Sequence, residues 1–187
     1  MRSPLQAVQA RYFKSSLAGF HAGVLGGVVL VIWLAVASAV QSRPWWSVFN
    51  VFATAFLGET ALQRGFGYAS MTGVAVHIVI SGAAGALFGL MVRDTSHSLR
   101  TRILALLVGP ALFFLLHGYV WRRVSPLVTL YTSERTMFLG YVIYGIVLGR
   151  QPRYLRALYA PVPDPGSDLT PAAPAPSVVG TDSPPAE

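Results

Sequence analysis

The sequence predicts an all-α integral membrane protein, with four transmembrane helices and one interfacial or re-entrant helix. Three observations carry this. Charged residues make up only 11% of the 187-residue chain, against roughly 25% in ordinary soluble domains. Mean hydropathy is +0.55. Four uncharged apolar stretches, 17–40, 66–92, 103–121 and 136–149, are separated by Arg-bearing loops. Lipid offers no partner to backbone N–H and C=O groups, so such stretches close their hydrogen bonds internally as helices.

Residues 1–16 form an amino-terminal segment with Arg2, Arg11 and Lys14. The first span, 17–40, is about 24 residues, roughly 36 Å of helix. Ala37-Ser38-Ala39 resembles a signal cleavage site. The apolar run before it exceeds the roughly 7–15 residues of a signal peptide, so a retained span is expected. Residues 44–57 are apolar but short. Ser42 is a candidate cap and Pro44 suits a first turn. Trp45, Phe49, Phe52 and Phe56 then share a face, which predicts an interfacial or re-entrant helix. The second span, 66–92, and the third, 103–121, are long enough to cross. The fourth, 136–149, is short and requires little tilt or a locally thinned bilayer. The membrane domain is thus 17–150. The remainder, 151–187, reads as a cytoplasmic tail. Tyr154–Tyr159 suits a short amphipathic turn, and the Pro- and Ala-rich sequence beyond it cannot bury enough surface to order itself.

The net charge of +7 does not point to nucleic acid, because the basic residues sit at the ends of apolar segments. Nine of the 14 Lys and Arg fall on the side of the termini and the 93–102 loop. That bias predicts both termini in the cytoplasm, in a bacterial inner membrane. Absence of cysteine excludes disulfides, thiol catalysis and Cys-type metal centres.

Small residues recur every four positions: Gly19, Gly23 and Gly27; Ala69, Gly73, His77, Ser81, Gly85 and Gly89; Gly145 and Gly149 after Tyr141. In lipid no hydrophobic force joins helices, so close backbone approach at small residues becomes the packing device. Such faces also admit a flat ligand. His77 lies on one of them, and an intramembrane ionisable group is a functional candidate by default. His117 on the third span, Glu59 near the short helix and Tyr141 complete the ligand-binding candidates. A haem held by both histidines demands equal depth. Counting from the predicted span ends gives about 16 Å for His77 and about 6 Å for His117. Gly109-Pro110 predicts a mid-span kink. No charged residue lies deep in a span, which argues against an ion-coupled carrier.

The reading that follows is a non-catalytic accessory subunit of a larger membrane complex, of photosynthetic or respiratory type. It has no catalytic residue, no metal and no cofactor of its own, and its partners are lipid and other membrane subunits. The alternatives are a small transporter or channel near His77, Glu59 and Pro110, and a haem- or pigment-binding protein using His77 and His117.

Overall fold

A computed structural model describes residues 4–92 and 98–159, and every element in them is helical. Expectations for the 93–97 loop and for 160–187 lie outside the described residues. The elements are α1 (Pro4–Val40), α2 (Ser47–Leu57), a 3₁₀ turn (Glu59–Gln63) and α3 (Tyr68–Met91). Then come α4 (Ser98–Leu115), a π-helical turn (Leu116–Val120), α5 (Trp121–Val124), α6 (Pro126–Tyr131), α7 (Glu134–Leu148) and α8 (Gln151–Tyr159).

Three helices are long and apolar enough to cross a membrane: Val8–Val40, Tyr68–Met91 and Leu99–Val124. The expected fourth, α7, has 15 residues, about 22 Å against a hydrocarbon core of about 30 Å. Its length therefore does not establish a fourth crossing.

Several boundaries differ from the sequence expectation. Helix α1 starts far ahead of residue 17, because Gln6, Ala10, Arg11 and Lys14 are good helix formers that need no apolar environment. Ser42 does not cap α2. It takes a left-handed turn at φ 56° that ends α1, and the Arg43 N–H closes back on the Ser38 carbonyl at 3.0 Å. Pro44 follows that turn and accepts the Ser47 N–H on its carbonyl at 2.9 Å, and α2 starts at Ser47. Trp45 thus precedes the helix, and Phe56 is 70% exposed, so the expected four-residue face is not formed. Residues 151–159 form helix α8, longer than the short turn expected at Tyr154–Tyr159.

Packing begins at the glycines of α1. Ser15 donates its hydroxyl to the Gly89 carbonyl at 2.6 Å. A Cβ at Gly19 would strike the Gly85 carbonyl. One at Gly23 would lie 2.5 Å from the Ser81 carbonyl oxygen and 2.8 Å from the Gly85 Cα. One at Gly27 would lie 2.7 Å from the Ser81 Cβ. Residue numbers rise on α1 as they fall on α3, so the helices are antiparallel with their backbones in contact.

Helix α7 packs on the adjoining side of α1, also antiparallel. Tyr144 lies over Gly26, and its hydroxyl donates to the Ser81 carbonyl at 2.7 Å, tying α7 to α3 across α1. Trp33 donates its indole N–H to the Thr136 carbonyl at 2.9 Å. Helix α4 meets α7 through a second small-residue contact. Gly109 faces the Tyr141 carbonyl, and a Cβ at Gly145 would lie 2.7 Å from the Ala105 carbonyl oxygen. The four long helices thus stand in the order α3, α1, α7, α4. Helices α3 and α4 do not pack along their lengths. Helix α2 packs on α3 and α6 at the end of the row opposite the start of α1.

Bulk at the α1–α3 contact should be costly. Gly23→Leu and Gly85→Leu should each lower the detergent melting temperature and cost stability at the top of the roughly 1–3 kcal/mol overpacking range or beyond. Leu107→Ala, at a side chain 63% exposed, should cost less, and Gly118→Ala, which opens onto empty space, almost nothing. Equal tolerance at Gly23, Gly85 and Gly118 would contradict backbone contact.

Candidate functional site

Helix α2 is buried at six consecutive positions, Phe49 to Thr54. Its seat is prepared by Gly73 of α3, where any Cβ would collide with the Phe49 carbonyl. The chain's one asparagine, Asn50, is 2% exposed. Its amide donates to the Arg64 carbonyl at 2.7 Å, and its oxygen accepts the Ser70 hydroxyl at 2.7 Å. One side chain therefore fastens the 58–67 connection to the start of α3. Thr54 and Ser125 share a hydroxyl hydrogen bond at 2.7 Å, which docks α2 on the start of α6.

Phe52 is fully buried and stands 5.4 Å from the His77 ring and 5.4 Å from the Trp121 ring, centroid to centroid. The Trp121 indole neighbours the Tyr141 hydroxyl, and its Nε1 has no protein hydrogen-bond partner. Phe113 lies 6.1 Å from Tyr141 and stacks on His117 at 5.2 Å and 13°. An aromatic path therefore runs from His77 through Phe52, Trp121, Tyr141 and Phe113 to His117. It joins α2, α3, α4, α5 and α7.

His77 and His117 are 4% and 2% exposed. His77 Nε2, both ring nitrogens of His117 and Trp121 Nε1 have no protein hydrogen-bond partner. The structure brings His117 and Tyr141 into one cluster, and sets His77 on the far side of Phe52. The five-residue π-turn, Leu116–Val120, carries His117. Such a turn rotates the residues after it relative to a regular helix, so Trp121 is presented to Phe52. Glu59 is exposed on the 3₁₀ turn, away from this cluster. Among the described residues no three His, Cys, Asp or Glu side chains gather as metal ligands.

Two clefts lie outside the aromatic path. The larger, about 450 Å³, opens where α1 ends, and is lined by Leu34, Ser38, Arg43, Trp46, Asn50, Arg64, Ser133 and Met137 among others. Arg43 is fixed at its rim by donating to the Tyr131 carbonyl at 3.1 Å. The smaller lies at the other end of the row, between α4 and α8.

Sequence reading missed Asn50, Phe52 and Trp121 as a unit. A lone asparagine in an apolar helix was a legible signal, since a buried amide demands partners. The π-turn left no signal in the spacing. No protein-family model, curated protein or solved structure matches this chain.

Asn50→Ala strips a partner from the Ser70 hydroxyl and from the Arg64 carbonyl. It should cost about 1–3 kcal/mol, more than Ser70→Ala at about 0.5–1.5 kcal/mol. Detergent melting curves decide, and Asn50→Ala as mild as Ser70→Ala would contradict the clamp. His77→Gln should keep the fold with a loss of at most about 1 kcal/mol, since Nε2 gives up no protein hydrogen bond. A visible absorbance band in the purified protein that disappears in the His77→Gln variant would show instead that His77 holds a pigment or metal.

Proposed function

We propose that this chain is a non-catalytic subunit of a larger membrane assembly, of photosynthetic or respiratory type in a bacterial inner membrane. The observation that carries the reading is the placing of its polar groups. Glu59 and Glu134 are exposed at turns. His77, His117 and Tyr141 are closed in by Phe52, Phe113 and Trp121. The helices meet through backbone contacts that rigidify the body. Such a molecule is suited to being packed against.

The face it offers is not the glycine face. Gly19, Gly23, Gly27, Gly73, Gly85, Gly89, Gly145 and Gly149 are all spent on contacts within the chain. What remains outward is aromatic and aliphatic. Helix α4 packs mainly along α7, and Ile103, Leu107 and Phe114 are 52%, 63% and 66% exposed. Lipid and neighbouring subunits share that surface.

In this reading α7 is a fourth crossing beneath a thinned bilayer, supported by its antiparallel seat between α1 and α4. Helix α2 is re-entrant, since irregular backbone at membrane depth persists only where protein covers it. Both termini face the cytoplasm, in keeping with the distribution of Lys and Arg.

Blue-native electrophoresis after digitonin extraction tests the function. The chain should co-migrate with an assembly much larger than its own 20.1 kDa. A small colourless oligomer that moves solute in liposomes would favour a channel, and a Soret band would favour a haem protein. Reporter fusions after residue 95 and at the carboxyl end should both report cytoplasm. Opposite locations would mean an odd number of crossings between them.

A further inference from the structure

The smaller cleft has a volume of about 260 Å³. Arg102 reaches it from α4, and Arg150, Arg153 and Arg156 reach it from the α7–α8 turn and α8. Their convergence is built by the backbone. A Cβ at Gly149 would lie 3.5 Å from the Cα and Cγ of Arg102, so α4 runs directly against the turn. Helix α8 is held to α1 by its other side, with the Tyr154 ring 6.1 Å from His21 and Gln151 2% exposed. Arg102, Arg150, Arg153 and Arg156 are left exposed.

Four guanidinium groups around one cleft repel each other. The two carboxylates among the described residues, Glu59 and Glu134, precede α3 and start α7, and so stand at the opposite end of the row. Arg156 makes only a within-helix bond to the Pro152 carbonyl at 3.3 Å. Among the described residues the cleft therefore presents several charge-bearing donors and no acceptor of matching charge.

We propose that this cleft binds the headgroup of an anionic phospholipid, with a two-phosphate headgroup of the cardiolipin kind as its best fit. Each guanidinium is a planar fork matched to phosphate oxygens, and four forks serve two phosphates. The cleft wall argues for lipid over free phosphate. Ile146 lines it and is 57% exposed, and Ile103 beside Arg102 is 52% exposed. An anion bound here sits at the edge of apolar surface, where acyl chains can follow. Basic recesses between helices on the cytoplasmic side are suited to such headgroups. The inference rests on the membrane reading above. Resistance of the chain to carbonate extraction from membranes tests that reading by itself.

The full chain in dodecyl maltoside should be mixed in turn with cardiolipin, phosphatidylglycerol, phosphatidylcholine and inorganic phosphate, and bound species counted by native mass spectrometry. Cardiolipin occupancy should exceed that of phosphatidylcholine by about tenfold, a difference of about 1.4 kcal/mol. It should fall by a similar factor in Arg102→Gln/Arg153→Gln. It should persist in Arg122→Gln/Arg123→Gln, which removes equal charge elsewhere. An unchanged melting temperature of the cleft variant in phosphatidylcholine micelles would show its fold intact. Equal occupancy by phosphatidylcholine, full retention in the cleft variant, or displacement of cardiolipin by millimolar inorganic phosphate would each overturn the proposal. So would cardiolipin binding that emerges only after removal of 161–187, since the carboxylates of Asp164 and Asp168 would then be the natural occupants.

Discussion

Backbone contact between α1 and α3 is the constraint on which the remaining packing depends. Gly19, Gly23 and Gly27 bring α1 so close to Ser81, Gly85 and Gly89 that no Cβ fits between them. Among apolar helices in lipid, association comes from dispersion and short polar contacts, and both gain when backbones touch. The Ser15 hydroxyl on the Gly89 carbonyl adds a directed hydrogen bond at one end of the contact. At the same time the close approach fixes rotation and register, since a shift by one residue would place Val24 or Val28 against the facing backbone.

Everything else is positioned from that pair. Tyr144 bridges α7 to Ser81 because Gly26 leaves a lane across α1. With α7 set, Gly109 and Gly145 bring in α4, and α4 carries Phe113, His117 and Trp121 toward Phe52. On the other side α3 offers Gly73 to the backbone of α2 and Ser70 to Asn50. The aromatic path is closed from two directions, each traced back to the same two helices. The arginine cleft has a similar origin, because Gly149 lets Arg102 stand beside the turn into α8.

The helical class and the long apolar segments were legible because composition and run length depend on the sequence alone. The four-residue spacing of glycine and serine was also plain on α1 and α3. Which stripe faces which was not, since pairing is a property of the whole row. Helix ends were poorly legible for a physical reason: hydropathy marks where lipid suits the side chains, while Gln6 to Lys14 continue the helix on propensity alone. Ser42 read as a cap, yet the chain needed a left-handed residue there to reverse after α1. The π-turn at Leu116–Val120 leaves no mark in the residue spacing. Of the candidate residues, His77 and His117 were visible as isolated polar groups. Their separation by Phe52 depends on α2 inserting beside α3, which no spacing reveals.

The most direct test is a disulfide crosslink across the α1–α3 contact, in a chain with no native cysteine. Val24 Cγ2 lies 3.1 Å from where a Cβ at Gly82 would stand, with only the far end of the Phe20 side chain to shift, whereas Ala69 lies 13 residues from Gly82, about 20 Å along α3. In native membranes under mild oxidation, Val24→Cys/Gly82→Cys should form the intramolecular disulfide rapidly, and Val24→Cys/Ala69→Cys should not. Equal crosslinking of the two pairs, or preference for the second, would contradict the antiparallel register from which the rest of the packing is set.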